Sequence, residues 1–270
     1  MQIIDTPGPL DPWLADLEAR HLSDLRFSEV TRALRALSAS YVQRRDRLAA
    51  KGALDGAGKR AAFAMFYGPL HHLLIRHIVA ALPGATDPVR GLLDLGCGTG
   101  AAGGAWAAAM TPRPRVVGLD THPWALGEAA ATYRQFGLDA EVRRGDAARA
   151  PLPGEPRASR GTDAVLAAYV VNELAPAARD ALLPRLLGAG RAGARVLVVE
   201  PIATSVAPWW PAWREAFEGA GGRGDDWRVP VALPPLVARL DRAAGLRHDT
   251  LSGRSLWLDG RQAAAARARL

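Results

Sequence analysis

Residues 92–100 read LLDLGCGTG. An apolar run brings the chain to a turn with Gly96, Gly98 and Gly100 at alternate positions. The small-residue stretch Ala101–Met110 then has the composition of a helix. Glycine tolerates positive φ and leaves no side chain between backbone and ligand. A helix start presents unpaired N–H groups. Strand, glycine turn and helix together therefore make a ligand cradle, and Asp94 stands two residues before the first glycine.

Outward from this loop the pattern is strand and helix in alternation. Leu92–Leu95, Arg115–Leu119, Ala140–Arg143, Ala164–Ala168 and Arg195–Val199 read as strands. Helices are expected at Ala101–Met110, Pro123–Phe136 and Pro176–Leu187. Apolar strands separated by helices predict a parallel sheet covered on both faces, an α/β doubly wound plan. Beyond residue 201 a helix is expected at Pro235–Ala244. Leu246–Leu251 and Ser255–Leu258 are expected as two strands joined by a tight turn at Ser252-Gly253-Arg254.

Upstream, Leu14, Leu17 and Leu25 fit one apolar helical stripe, and Val30, Leu34, Leu37 and Tyr41 another, with Ser23 or Ser28 as a cap. Residues 1–12 read as an extended lead-in, and the basic, Gly-rich stretch Arg44–Lys59 as a connection. A helix is expected from about Arg60 to Leu82, kinked at Pro69. The organisation expected is a helical extension or lid over 1–84, a ligand-binding domain over 85–260 and a low-complexity tail over 261–270.

The segment DLGCGTG after an apolar strand resembles the first motif of class I (Rossmann-like) S-adenosylmethionine-dependent methyltransferases. The resemblance implies a mostly parallel seven-stranded sheet ending in an antiparallel pair, with S-adenosyl-L-methionine as cofactor. It places Asp94 near the cationic methionine end, and Gly96, Cys97, Gly98 and Gly100 against the cofactor's backbone-facing side. Asp120 ends the second strand, 20 residues beyond Gly100. Such an acid can accept hydrogen bonds from both ribose hydroxyls, or can cap the following helix. Thr121 and His122 follow and could flank the adenine. Asp146 and Ala147, after the third strand, stand where family members often meet the adenine amino group; Asp146 could equally be a solvated loop acid.

In open α/β sheets ligands bind beyond the carboxyl ends of the strands. Tyr169, Asn172 and Glu173, in AAYVVNEL at the end of the fourth strand, are thus placed where substrate and cofactor should meet, all three as catalytic candidates and Tyr169 also as a cofactor-binding one. Asn172 could orient a nucleophile and Glu173 accept a proton; alternatively Asn172 caps a helix. Methyl transfer asks a protein mainly for alignment and exclusion of water. The one cysteine, Cys97, lies inside the loop and is poorly placed as a nucleophile. No ligand cluster for a metal is visible. His71 and His72, one turn beyond Tyr67, read as a half-buried pair on a helix.

Nearly half the 270 residues are hydrophobic and 23% are charged, which fits a globular protein with one sizeable core. No apolar run is long enough to span a bilayer and no basic-then-apolar leader is present, so no membrane partner and a cytoplasmic location are expected. The net charge is +7, and nearly all of the positive charge is arginine. GC-rich codon usage accounts for it as readily as a nucleic-acid partner does. Segments ALSASYVQRRDRLAA, RHIVAALP, YVVNEL and VLVVEP resemble the Rsm22-like group, methyltransferase-fold proteins associated with the small ribosomal subunit. This implies an RNA or ribosome partner, reached through Arg32, Arg35, Arg44, Arg45 and Arg47. The acceptor is therefore a small molecule or ribosomal RNA, the alternative being a non-catalytic assembly or RNA-binding factor. Trp209, Trp210 and Trp213 either line the acceptor side or pack in the core.

Overall fold

The computed structural model describes residues 10–43, 54–158, 161–202 and 207–261. The expected lead-in before residue 10, Arg44, Arg45, Arg47 and the tail beyond residue 261 lie outside the described residues. Two units form, one of residues 1–74 with 228–251, the other of residues 75–227 with 252–270. Residues 228–251 group with the N-terminal helices in the first unit.

The first unit is helical. α1 (Leu10–His21) buries Leu10, Trp13, Leu14 and Leu17, and α2 (Phe27–Gln43) buries Val30, Leu34 and Leu37. These spacings set each apolar stripe on one face. Neither serine caps α2: Ser23 Oγ donates to the Arg20 carbonyl, and Ser28 lies inside α2. The Glu29 carboxylate instead accepts the Arg26 amide at 2.8 Å, the half of a capping box that a glutamate supplies. The helix expected over 60–82 is α3 (Ala57–Ala62), a π-helical turn (Phe63–Tyr67) and α4 (Gly68–Ala81). Pro69 cannot donate to the preceding turn, and the widened turn sits directly before it. His72 is buried beside Trp13, ring centroids 5.4 Å apart, rather than half-exposed. The neighbouring His71 is pushed down to about 4 by burial. Arg239 of α9 (Pro235–Ala243) pairs with Glu18 at 2.9 Å.

The second unit carries α5 (Ala101–Ala108), α6 (Pro123–Gln135), α7 (Pro176–Arg191) and α8 (Trp210–Gly219) around the sheet. The strands are β1 (Gly91–Leu95), β2 (Arg115–Asp120), β3 (Ala140–Arg144), β4 (Ala164–Ala168), β5 (Arg195–Glu200), β6 (Arg223–Pro230) and β7 (Thr250–Asp259). Their order is β3-β2-β1-β4-β5-β7-β6. β1 to β5 are parallel, and β7 runs antiparallel to β5. Residues of β1, β4 and β5 are buried throughout, as central strands covered on both faces must be.

The winding reverses between β1 and β4, which places the topological switch point at their carboxyl ends. The hairpin expected at 246–258 does not form. Gly253 has no positive φ, so the chain stays extended and makes one long β7. Its neighbour in the sheet is β6, whose charged sequence RGDDWRVP reads as loop but suits an exposed edge.

Candidate functional site

The loop after β1 is built by three glycines with different duties. Gly96 has φ +62, and a Cβ there would overlap the Val170 side chain. Gly100, φ +75, opens α5 against the backbone of Ala129. Gly98 also has positive φ, +53, yet a Cβ on it would meet nothing within 4 Å. Packing therefore accounts for two glycines. At the third the open side of the loop faces empty space, a cradle into which a ligand backbone can fit.

Asp94 is buried and does not face open solvent. Its Oδ2 accepts the Tyr133 hydroxyl at 2.7 Å, and the Gly103 amide also donates to the carboxyl. A Cβ on Gly103 would overlap that carboxylate, so α5 approaches as closely as it does only because residue 103 lacks one. Asp94 thus ties β1, α5 and α6 together beneath the loop. Burial, opposed by the tyrosine bond and reinforced by the charge of Asp120, pushes its carboxyl up to about 7. Tyr133 escaped sequence reading, since a lone tyrosine in a small-residue helix carries no motif.

The folded chain holds the Asp94 proton up to about pH 7, whereas an unfolded aspartate loses it near 3.9. The folded state binds more protons in that window, so this group's contribution to stability falls as pH rises through it. Tyr133→Phe should cost about 1–3 kcal/mol, more at pH 8, where the bond is to an ionised carboxylate, than at pH 5. Chemical denaturation at both pH values checks this; an equal loss at both would contradict it.

Asp120 is poised at the loop's open side. Its Oδ2 accepts the Gly98 amide at 2.9 Å and its Oδ1 accepts the His122 amide at 2.8 Å. Each carboxylate oxygen has a further lone pair for a second donor. His122 caps α6, its Nδ1 accepting the Trp124 amide at 3.2 Å. Thr121 is exposed. Asp146 is also exposed and caps a short 3-10 turn through the Ala148 amide at 2.9 Å, while Ala147 is buried. That loop is held from α7: Arg185 donates to the carbonyls of Ala148 and Ala150 and pairs with Glu155 at 2.7 Å. Arg185 is a second residue with no sequence signal. The Cys97 thiol is pushed well up by burial and by the charges of Asp94 and Asp120, so it stays protonated and is no nucleophile.

The chain leaves β4 through Tyr169, the one non-glycine residue with positive φ, +59, among the described residues. Left-handed backbone costs a side-chain-bearing residue about 1–2 kcal/mol and persists only where surroundings enforce it. A 3-10 turn, Val171–Glu173, follows. Asn172 is not the cap of a helix: its Oδ1 accepts the Trp209 Nε1–H at 2.9 Å, which sets the orientation of its amide. Trp209, Trp210 and Trp213 are buried in the core, and Trp209 also reaches the site through this bond. Glu173 keeps solvent contact while protein fills most of its surroundings. That desolvation first, and the charge of Asp120 second, push its carboxyl up to about 7.

A methyltransferase-domain family model matches residues 92–193. No curated protein matches the chain in sequence. Among solved structures, the mitomycin 7-O-methyltransferase MmcR is similar at 16% identity, over 95% of this chain and 74% of that one, with a TM-score of 0.49. An Aquifex aeolicus SAM-dependent methyltransferase is similar at 14% identity, over 80% and 96%, with a TM-score of 0.45. TYW2 of P. horikoshii, solved with MeSAdo, is similar at 10% identity and a TM-score of 0.42 over 70% of this chain; the match spans only 63% of that protein's length. Likenesses this distant carry nothing about substrate. Residues 92–193 are a methyltransferase domain. The seven-stranded, mostly parallel sheet that carries it has the class I methyltransferase fold.

Among the described residues no helix is long and apolar enough to cross a membrane, and no group of histidine, cysteine, aspartate and glutamate could hold a metal ion.

Proposed function

We propose that the chain is an S-adenosylmethionine-dependent methyltransferase acting on an oxygen or nitrogen acceptor that loses a proton as it is methylated. The observation that carries this reading is the pairing of the open Gly98 position with the Asp120 carboxylate at 2.9 Å. A glycine cradle beside an acid with spare lone pairs suits a ribose-bearing ligand whose chain lies against the backbone. In this reading Asp120 takes the ribose hydroxyls, Gly96 to Gly100 border the methionine and adenosine portions, and His122, Asp146 and Ala147 border the adenine. When bound, the cofactor supplies an electrophilic methyl group on a sulfonium.

Asn172, oriented by Trp209, and Tyr169 align the acceptor. Glu173, pushed up to about 7, is half ionised near neutral pH and accepts the acceptor's proton. Glu173→Gln should lower transfer about 10²–10⁴-fold at neutral pH, while S-adenosylhomocysteine affinity stays within about threefold of wild type, because this carboxyl deals with the acceptor and not the product. Equal transfer by a folded Glu173→Gln chain would remove it from the chemistry.

The acceptor is a small molecule or an RNA. In favour of RNA, Arg32 and Arg35 are exposed on α2, although Arg35 also donates to the Ala243 carbonyl at 2.5 Å. Incubation with methyl-labelled S-adenosylmethionine and either ribosomal RNA or a small-metabolite extract tests the choice. Label in RNA that salt suppresses would support the RNA acceptor. Label in small metabolites alone would support the small-molecule acceptor, and label in neither pool would count against transfer to both.

A further inference from the structure

Beyond the loop and the catalytic candidates, the buried acid Glu200 has a notable position. Glu200 ends β5 and is fully buried in the second unit. Its Oε1 accepts two backbone amides from the turn after β4, Val171 N–H at 2.8 Å and Asn172 N–H at 3.1 Å. Its Oε2 has no hydrogen-bond partner among the described residues. A buried acid with one orphan oxygen is costly, because that atom has left water without gaining a donor.

Nearby charge does not offset that cost. Arg254 faces Glu200 across the β5–β7 register, but its guanidinium donates to the Pro201 carbonyl at 2.8 Å and lies over the Trp210 ring at 4.7 Å. Burial outweighs Arg254, and Glu173 adds repulsion, so the carboxyl is pushed up to about 8. Tyr169, from the same turn, feels the charge of Glu200 as well.

What the carboxylate does gain is the turn. A 3-10 turn opens with amides that have no partner of their own. Tyr169 at φ +59 persists only where its surroundings enforce it; its own amide donates to the Val199 carbonyl at 2.8 Å, and the turn that follows is held by Glu200. We infer that Glu200 is a positioning residue: from the neighbouring strand it caps the Val171–Glu173 turn, keeps Tyr169 in its left-handed conformation and so sets the ligand-facing end of β4. The ligand part of this inference rests on the function proposed above.

The experiment compares wild type, Glu200→Gln and Glu200→Ala by amide hydrogen exchange and by calorimetric titration with S-adenosylhomocysteine. In Glu200→Ala the amides of Val171 and Asn172 should exchange at least tenfold faster while those of β4 do not change, and affinity should fall at least tenfold. Glu200→Gln keeps an accepting oxygen and should restore both to within about threefold. Unchanged exchange in a folded Glu200→Ala chain overturns the inference; so does faster exchange with unchanged affinity, which leaves a merely structural cap.

If the alanine variant does not fold, the pH dependence of wild type decides. After correction for intrinsic exchange, protection of the two amides should rise between about pH 7 and 9 as the carboxylate ionises, and should be flat in Glu200→Gln. A flat wild-type profile overturns the inference. A wild type that binds no S-adenosylhomocysteine sinks the proposed function instead, and the exchange comparison still decides whether Glu200 holds the turn.

Discussion

Asp120→Ala should lower S-adenosylmethionine affinity about a hundredfold and leave the sheet folded. Two hydrogen bonds to a charged acceptor contribute about 1.5 kcal/mol each at the low end, and about 3 kcal/mol is a hundredfold. The carboxylate also takes the Gly98 and His122 amides, so its loss loosens the loop that the ligand would meet. Neither bond lies in the hydrophobic core, and the variant should unfold within a few degrees of wild type. Asp120→Asn keeps one accepting oxygen and should fall between the two. Calorimetric titration of the three chains checks the order. Equal affinities in folded variants would remove Asp120 from the site.

Gly96→Ala is expected to be strongly destabilising. The added carbon would overlap Val170, which follows the strained Tyr169, and the backbone at residue 96 has φ +62. Left-handed strain of about 1–2 kcal/mol adds to overpacking of about 1–3 kcal/mol. A total near 3 kcal/mol lowers the melting temperature by about 6–12 °C for a chain of this size. Gly98→Ala shares the positive φ but has open space around the new carbon, so it should lose only the strain, about half as much. Its penalty should appear in ligand affinity instead. Thermal unfolding of the pair checks the contrast. A Gly98→Ala chain less stable than Gly96→Ala would mean that the loop packs the other way round.

The strands that build the site were legible because buried parallel strands are short apolar runs, and β1, β4 and β5 are little else. The glycine loop and Asp120 were legible because backbone geometry there leaves a residue-type signature. β6 was not: an edge strand carries charge where a central one carries valine, so RGDDWRVP resembles a loop. Ser252-Gly253-Arg254 are turn-forming residues, yet here they lie within the extended β7, with Arg254 opposite Glu200 of β5.

Tyr133, Arg185 and Glu200 act on residues far along the chain, 39 positions for Asp94 and Tyr133, 30 for Glu155 and Arg185, and 29 for Val171 and Glu200, with no local pattern to mark them. The roles of Asp146 and Thr121 stayed open in the sequence because an exposed loop residue is compatible with a solvated surface as well as with a ligand.

The central claim is that the Asp94–Gly100 loop and Asp120 hold S-adenosylmethionine. The most direct measurement is calorimetric titration of the whole chain with S-adenosylmethionine and S-adenosylhomocysteine, with NAD as the control dinucleotide. The account predicts one-to-one binding of both sulfur ligands, weakened about a hundredfold in Asp120→Ala, and no binding of NAD. A folded chain that binds neither sulfur ligand, or that binds NAD in their place, would contradict it.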